Sequence, residues 1–150
     1  MQKNSMIENS ILLERVFDAE VELVWKTWTE PGLLKLWFGS DPKGTVENVL
    51  IDLRIGGAYE ISFRDSNLSK HTCRGKFLNI VEHKILVYTW EWESEPDFIS
   101  ELEVNFFPVG EKTKLILEHK NLNPDSKHGY EAGWNGALNK IEKILPTIKH

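Results

Sequence analysis

The chain has 150 residues, the length of one domain that can bury a core without disulfides or metals. Its 18 Lys and Arg stand against 23 Asp and Glu, a net charge of −5, which argues against nucleic acid, because phosphate binding needs a basic face. Apolar runs last a few residues, far short of the roughly 20 that span a bilayer. The N-terminus lacks the apolar stretch of a secretory signal, and Cys73 is the one cysteine. The expectation is a cytoplasmic protein with no membrane span, no disulfide and no cysteine metal cluster. Six Trp, seven Phe and three Tyr make the chain rich in aromatics. Aromatics fill cores and also line apolar pockets, so their positions have to decide between the two uses.

Residues 1–10 are polar and read as a flexible N-terminus, and residues 11–150 as a single domain. Residues 11–17, ILLERVF, have strand character and lead to Asp18, the expected N-cap of a helix starting near Ala19. Val21, Val24, Trp25 and Trp28 recur at helical spacing and mark its buried face. Thr29 to Gly32 breaks that helix and opens a second, short and apolar one through Leu33, Leu34, Leu36 and Trp37, with Pro31 tolerated in the first turn.

From residue 44 to residue 120 the period changes to two. Val46 to Leu53 predicts a strand, and Gly56 and Gly57 suit a tight hairpin. Tyr59, Ile61 and Phe63 then alternate with Glu60, Ser62 and Arg64. Strands at 71–81 and 84–93 are joined at Glu82 and His83, and the second places Leu86, Tyr88, Trp90 and Trp92 on one face. Phe98, Leu102, Val104 and Phe106 share a face of the next strand, Pro108 to Lys112 turns the chain, and Leu115, Leu117 and His119 share a face of the last. After a loop with Asp125 or Ser126 as N-cap, Tyr130, Trp134, Ala137, Leu138, Ile141, Ile144 and Leu145 form an apolar stripe on a long helix, which Pro146 should kink or end. The fold class is α+β: a six- or seven-stranded curved antiparallel sheet wrapped around a long C-terminal helix, with two short helices after the first strand.

No nucleophile elbow, phosphate loop or dinucleotide fingerprint occurs. His71, His83, His119 and His128 are scattered, so no metal ligand set and no cofactor is expected, and Cys73 reads as a small buried strand residue. No catalytic residue is assigned. His119 faces inward, either as a hydrogen-bonded histidine at a strand end or as a polar group that orients a ligand, and with Tyr130 it is the candidate if an acid or base works inside the fold. Gly129, Gly133 and Gly136 crowd the start of the long helix, which implies close approach there by the sheet, a neighbouring loop or a ligand. Asp52 and Arg54 read as a surface pair, and the rows Glu91/Glu93 and Glu101/Glu103 as a solvated outer face or one turned to a basic partner.

Several segments together resemble a START-like (SRPBCC) family named for the activator of the ATPase of heat-shock protein 90. They are RVFDA at 15–19, VWKTWTEP at 24–31, LWF at 36–38 and DLRIGGAY at 52–59. They continue with GKF at 75–77, ILVYTW at 85–90, TKLILEH at 113–119 and HGYEAGW at 128–134, followed by Leu138 and Ile141. The resemblance covers residues 11–146 and implies the helix-grip fold, in which sheet and helix enclose an apolar cavity. With the alternation above, the expected lining is Trp37, then Tyr59, Ile61 and Phe63, then Tyr88, Trp90 and Trp92. Leu102 and Val104, Leu117 and His119, and Tyr130, Trp134 and Leu138 on the helix complete it. The function implied is binding of a small, largely apolar or aromatic molecule, by a monomer or weak homodimer. The alternatives are a co-chaperone-like regulator of heat-shock protein 90, and a cyclase or hydrolase working in the same cavity. The eukaryotic activators carry an additional N-terminal domain, which is not expected in this sequence.

Overall fold

Period-two patterning becomes seven strands in the computed structural model, which describes residues 9–148. They are β1 (Ile11–Phe17), β2 (Thr45–Ile51), β3 (Ala58–Arg64), β4 (Lys70–Val81), β5 (Ile85–Trp92), β6 (Ile99–Val109) and β7 (Lys112–Lys120). Helices α1 (Val21–Thr29) and α2 (Pro31–Leu34) follow β1, and the long helix α3 (Lys127–Ile148) follows β7. The sheet order is β1-β7-β6-β5-β4-β3-β2, with every neighbouring pair antiparallel. The meander β2 to β7 therefore forms most of the sheet, and β1 closes its far side on β7. Of the segment expected to be flexible, residues 1–8 lie outside the described residues; the Asn9 carbonyl accepts from the Leu122 N–H (2.7 Å).

Alternation holds along the strands. In β6 and β7, Ser100, Leu102, Val104, Phe106, Thr113, Leu115, Leu117 and His119 are buried while their sequence neighbours face outward. The outer rows are not purely acidic: Lys120 sits 3.0 Å from Glu103 and 3.9 Å from Glu101, and Arg74 lies 3.7 Å from Glu91. Asp52 and Arg54 form an exposed pair at 2.9 Å, worth little in water.

The boundaries differ from expectation where a tertiary contact intervenes. Helix α1 starts at Val21, not near Ala19, and Glu20 rather than Asp18 occupies its cap position. Ala19 is buried, and its carbonyl accepts from the Thr113 hydroxyl (2.8 Å), which ties the bend before the helix to β7. Helix α2 is a single turn, and Trp37 lies beyond it, anchored by its indole N–H on the Thr27 carbonyl (2.7 Å). The tight hairpin at Gly56 and Gly57 is instead a longer connection over 52–57. Gly56 sits there at φ +85°, and both glycines bond across to Phe77 of β4. Strands β6 and β7 run through Pro108 and Lys112 and turn at Gly110 and Glu111. Asp125 and Ser126 belong to a 3-10 turn that runs into α3, and Pro146 lies in the last turn of that helix.

Two contacts fix α3 against the rest. Arg15, facing inward from β1, donates to Asn139 Oδ1 (2.9 Å) and Asn135 Oδ1 (3.3 Å) on α3. The loop after α2 packs on the helix glycines. A Cβ at Gly136 would lie 2.9 Å from the Ser40 carbonyl oxygen and one at Gly133 would lie 3.5 Å from Ser40 Cβ, whereas one at Gly129 meets nothing within 4 Å. The close approach anticipated at these glycines is thus made by a neighbouring loop. Gly136→Ala should destabilise the protein by about 1–3 kcal/mol, because backbone must move. Gly129→Ala should be neutral or stabilising by up to about 1 kcal/mol. Urea unfolding of the two variants measures the difference.

Candidate functional site

The space between sheet and α3 is filled in two different ways. Toward the middle of the sheet, Leu86, Leu102, Val104, Leu115, Leu117, Leu138 and Ile141 are at most 1% exposed and form a closed aliphatic core. Toward the start of α3 the filling changes to rings that do not close up, leaving a cavity of about 350 Å³. Phe63 of β3, His71 of β4 and Trp90 and Trp92 of β5 form the sheet wall. Tyr130, Trp134 and Ala137 of α3, with Gly129 and Gly133, form the helix wall, and residues 37–40 with Ser94 and Glu95 complete the lining.

Of the residues expected to line a cavity, Trp37, Phe63, Trp90, Trp92, Tyr130 and Trp134 are on its wall. Leu102, Val104, Leu117 and Leu138 belong to the aliphatic core, and Ile61 is buried in the same cluster. Tyr59, Tyr88 and Phe77 form a separate ring group (Tyr59 edge-on to Tyr88 at 5.0 Å, Phe77 edge-on to Tyr88 at 5.5 Å), and the Tyr59 hydroxyl donates to the Thr89 carbonyl (2.6 Å). His119 lies behind the wall. Alternation had no means of finding the loop residues Phe38, Gly39 and Ser40, nor Ser94 and Glu95. The signal that was available for the first group is the phenylalanine–glycine turn itself. Phe38 stacks on Trp90 (5.7 Å, 21° between planes).

His119 is fully buried with both ring nitrogens engaged. The Trp134 indole N–H can only donate, and it donates to His119 Nδ1 (3.0 Å). The imidazole proton is therefore on Nε2 and is donated to Ser100 Oγ (2.8 Å), whose own hydroxyl reaches the Trp90 carbonyl (3.3 Å). One neutral imidazole thus links α3, β6 and β5 immediately behind the two tryptophans of the cavity wall. Burial pushes its pKa down to about 3.

The Tyr130 hydroxyl is a polar group on the wall itself. It accepts from the Trp92 indole N–H (2.7 Å), its ring meets His119 edge-on (4.8 Å), and burial pushes its pKa up to about 12. Just beyond the lining residue Ser40, Asp41 accepts from the Ser66 N–H and hydroxyl (2.8 Å each) and from the Lys43 N–H (2.9 Å). These bonds draw its carboxyl down to about 2 and tie the loop after α2 to the β3–β4 connection. His71 Nε2 bonds Asp65 Oδ2 at 2.8 Å on the rim. Among the described residues no group of three His, Cys, Asp or Glu is placed to hold a metal ion, and no helix is long and apolar enough to cross a membrane.

The family model described as Activator of Hsp90 ATPase homolog 1-like protein matches residues 18–146. The chain belongs to this family. Its sheet, its two short helices after β1 and its long last helix are the START-like arrangement of Activator of Hsp90 ATPase homolog 1-like proteins. A crystal structure of a Nitrosomonas europaea protein is 26% identical with a TM-score of 0.82, the match covering 95% of this chain and 97% of that one. One from Chromobacterium violaceum is 23% identical, TM-score 0.82, over 91% and 97% of the two chains. The AHSA1-like protein from Aeromonas hydrophila is 18% identical, TM-score 0.78, over 92% of each chain. The last two likenesses concern the fold. No curated protein matches the sequence.

The His119 arrangement has a pH signature. Its ordinary pKa of 6.5, kept by the unfolded chain, exceeds the folded value of about 3, so protons bind the unfolded state preferentially in that window. The stability that this group contributes above pH 6.5 is lost as pH falls toward 3, by about 1.4 kcal/mol per pH unit once well below 6.5. Urea unfolding between pH 7 and pH 4 should show this one-proton slope, and His119→Gln should remove it.

Proposed function

We propose that the protein binds a small, largely apolar molecule between the sheet and the start of α3. The observation that carries this reading is the contrast within one layer. Aliphatic side chains close one part of it completely, while Phe63, Trp90, Trp92 and Trp134 leave about 350 Å³ open beside them. Ligand cavities start at about 300 Å³ and are walled mainly by apolar and aromatic groups with a few polar atoms, as this one is. The family's description also supports a second reading, a co-chaperone-like action on heat-shock protein 90; stimulation of that chaperone's ATPase would favour it, and none at excess protein would remove it. The enzymatic alternative draws less support, since both nitrogens of His119 are committed behind the wall.

Titration with 2-ethylnaphthalene, followed by the indole N–H signals, tests the binding reading. Trp90, Trp92 and Trp134 should shift saturably. Trp25, packed on His83 and Phe106 (6.0 Å and 5.2 Å) away from the cavity, should not. Gly129→Phe, whose ring has open space at the cavity wall, should abolish the shifts without unfolding the protein. Equal shifts at all indoles, or none, would contradict the reading.

A further inference from the structure

The polar chemistry of the wall narrows the class of ligand. The Tyr130 oxygen accepts from the Trp92 N–H at 2.7 Å. The Trp90 indole faces the same oxygen, yet its N–H, buried in a side chain 5% exposed, has no hydrogen-bond partner among the described residues. With the Trp92 indole donor on one lone pair of that oxygen, the tyrosine's own hydrogen points elsewhere and can be donated to a molecule in the cavity. Its proton stays in place at neutral pH, since a phenol's ordinary pKa of 10.0 already lies well above 7 and burial raises it further. A hydroxyl hydrogen on an aromatic wall offers an acceptor on a bound molecule a partner where few other polar groups compete. Among the described residues the lining has no lysine or arginine, while Glu95 contributes a negative charge, so an anionic ligand would lose its water without gaining a counter-charge from them.

We infer that the cavity takes an uncharged aromatic molecule carrying a carbonyl oxygen, which accepts the hydrogen of the Tyr130 hydroxyl. The inference rests on the ligand-binding reading and adds to it the chemistry of the ligand. The rings of Phe38, Phe63, Trp90 and Trp134 supply faces and edges for a flat molecule. The hydrogen bond to Tyr130 fixes which way round it lies.

Three probes of one ring system separate the possibilities: 2-acetylnaphthalene, 2-ethylnaphthalene and 2-naphthoate. The ketone should bind about tenfold more tightly than the carboxylate. In the complex its C=O stretch should fall below the frequency found in cyclohexane, as donation by the hydroxyl requires; this readout needs no variant. In Tyr130→Phe that lowering should be lost, and affinity for the ketone should drop about tenfold more than affinity for 2-ethylnaphthalene. A bound ketone with its cyclohexane frequency, or a carboxylate bound as tightly as the ketone, would overturn the ligand class and leave the binding reading standing. Binding of none of the three would overturn both.

Discussion

A neutral imidazole with no exposed surface, holding an indole on one side and a serine on the other, is the constraint on which the rest of the site depends. Without His119, the N–H of Trp134 would be an unpaired polar group in an apolar layer, costing about 1–3 kcal/mol, and Ser100 would keep only its bond to the Trp90 carbonyl. With it, α3 is fixed in rotation relative to β5, because Trp134 comes from the helix and Ser100 passes the bond on to the Trp90 carbonyl. The wall is stiff for a second reason. Trp134 stacks on Trp28 of α1 (5.8 Å, 21°), and Trp28 meets Trp37 at 4.7 Å, so α1 and the loop after α2 buttress the same side chain. A wall braced in this way does not collapse onto the space in front of it, which is how a cavity persists beside a closely packed core.

The division of labour along the layer follows from side-chain shape. Branched aliphatics from β5, β6, β7 and α3 interdigitate and close, whereas large rigid rings meet at tilted angles and leave gaps. Access is then set by the loop after α2. Ser40 lies on Gly136 and Gly133, and next to it Asp41 holds Ser66 of the β3–β4 connection. The rim is therefore held by hydrogen bonds at its loops, and the inner wall by His119.

Much of this was legible in the sequence, and the remainder was not for identifiable reasons. Period-two patterning told which residues face α3: Trp90 and Trp92 on β5, Leu117 and His119 on β7. It could not tell at which level along the strands the layer is filled, so Leu102, Val104, Leu117 and Leu138 were grouped with the lining although they close the core. That level depends on register: Leu102 pairs with His119 and Trp90 with Ser100, which brings Ser100 diagonally to the histidine. Inward-facing His119 was visible, but its two partners come from β6 and α3, and only the assembled layer shows the ring to be satisfied. The glycines of α3 announced a close approach, and the identity of the approaching group, the Ser40 backbone, lay far away in sequence. Cap positions failed for the same kind of reason: the Thr113 hydroxyl on the Ala19 carbonyl overrode the local preference at Asp18.

Nitrogen-15 NMR of the histidine rings tests most directly the claim that a neutral His119 braces the wall. The account predicts, for His119, a proton on Nε2, an unprotonated Nδ1 coupled across its hydrogen bond to the Trp134 indole N–H, and no change of either from pH 7 down to pH 4. A ring that becomes cationic near its ordinary pKa of 6.5, or one that carries its proton on Nδ1, would contradict it.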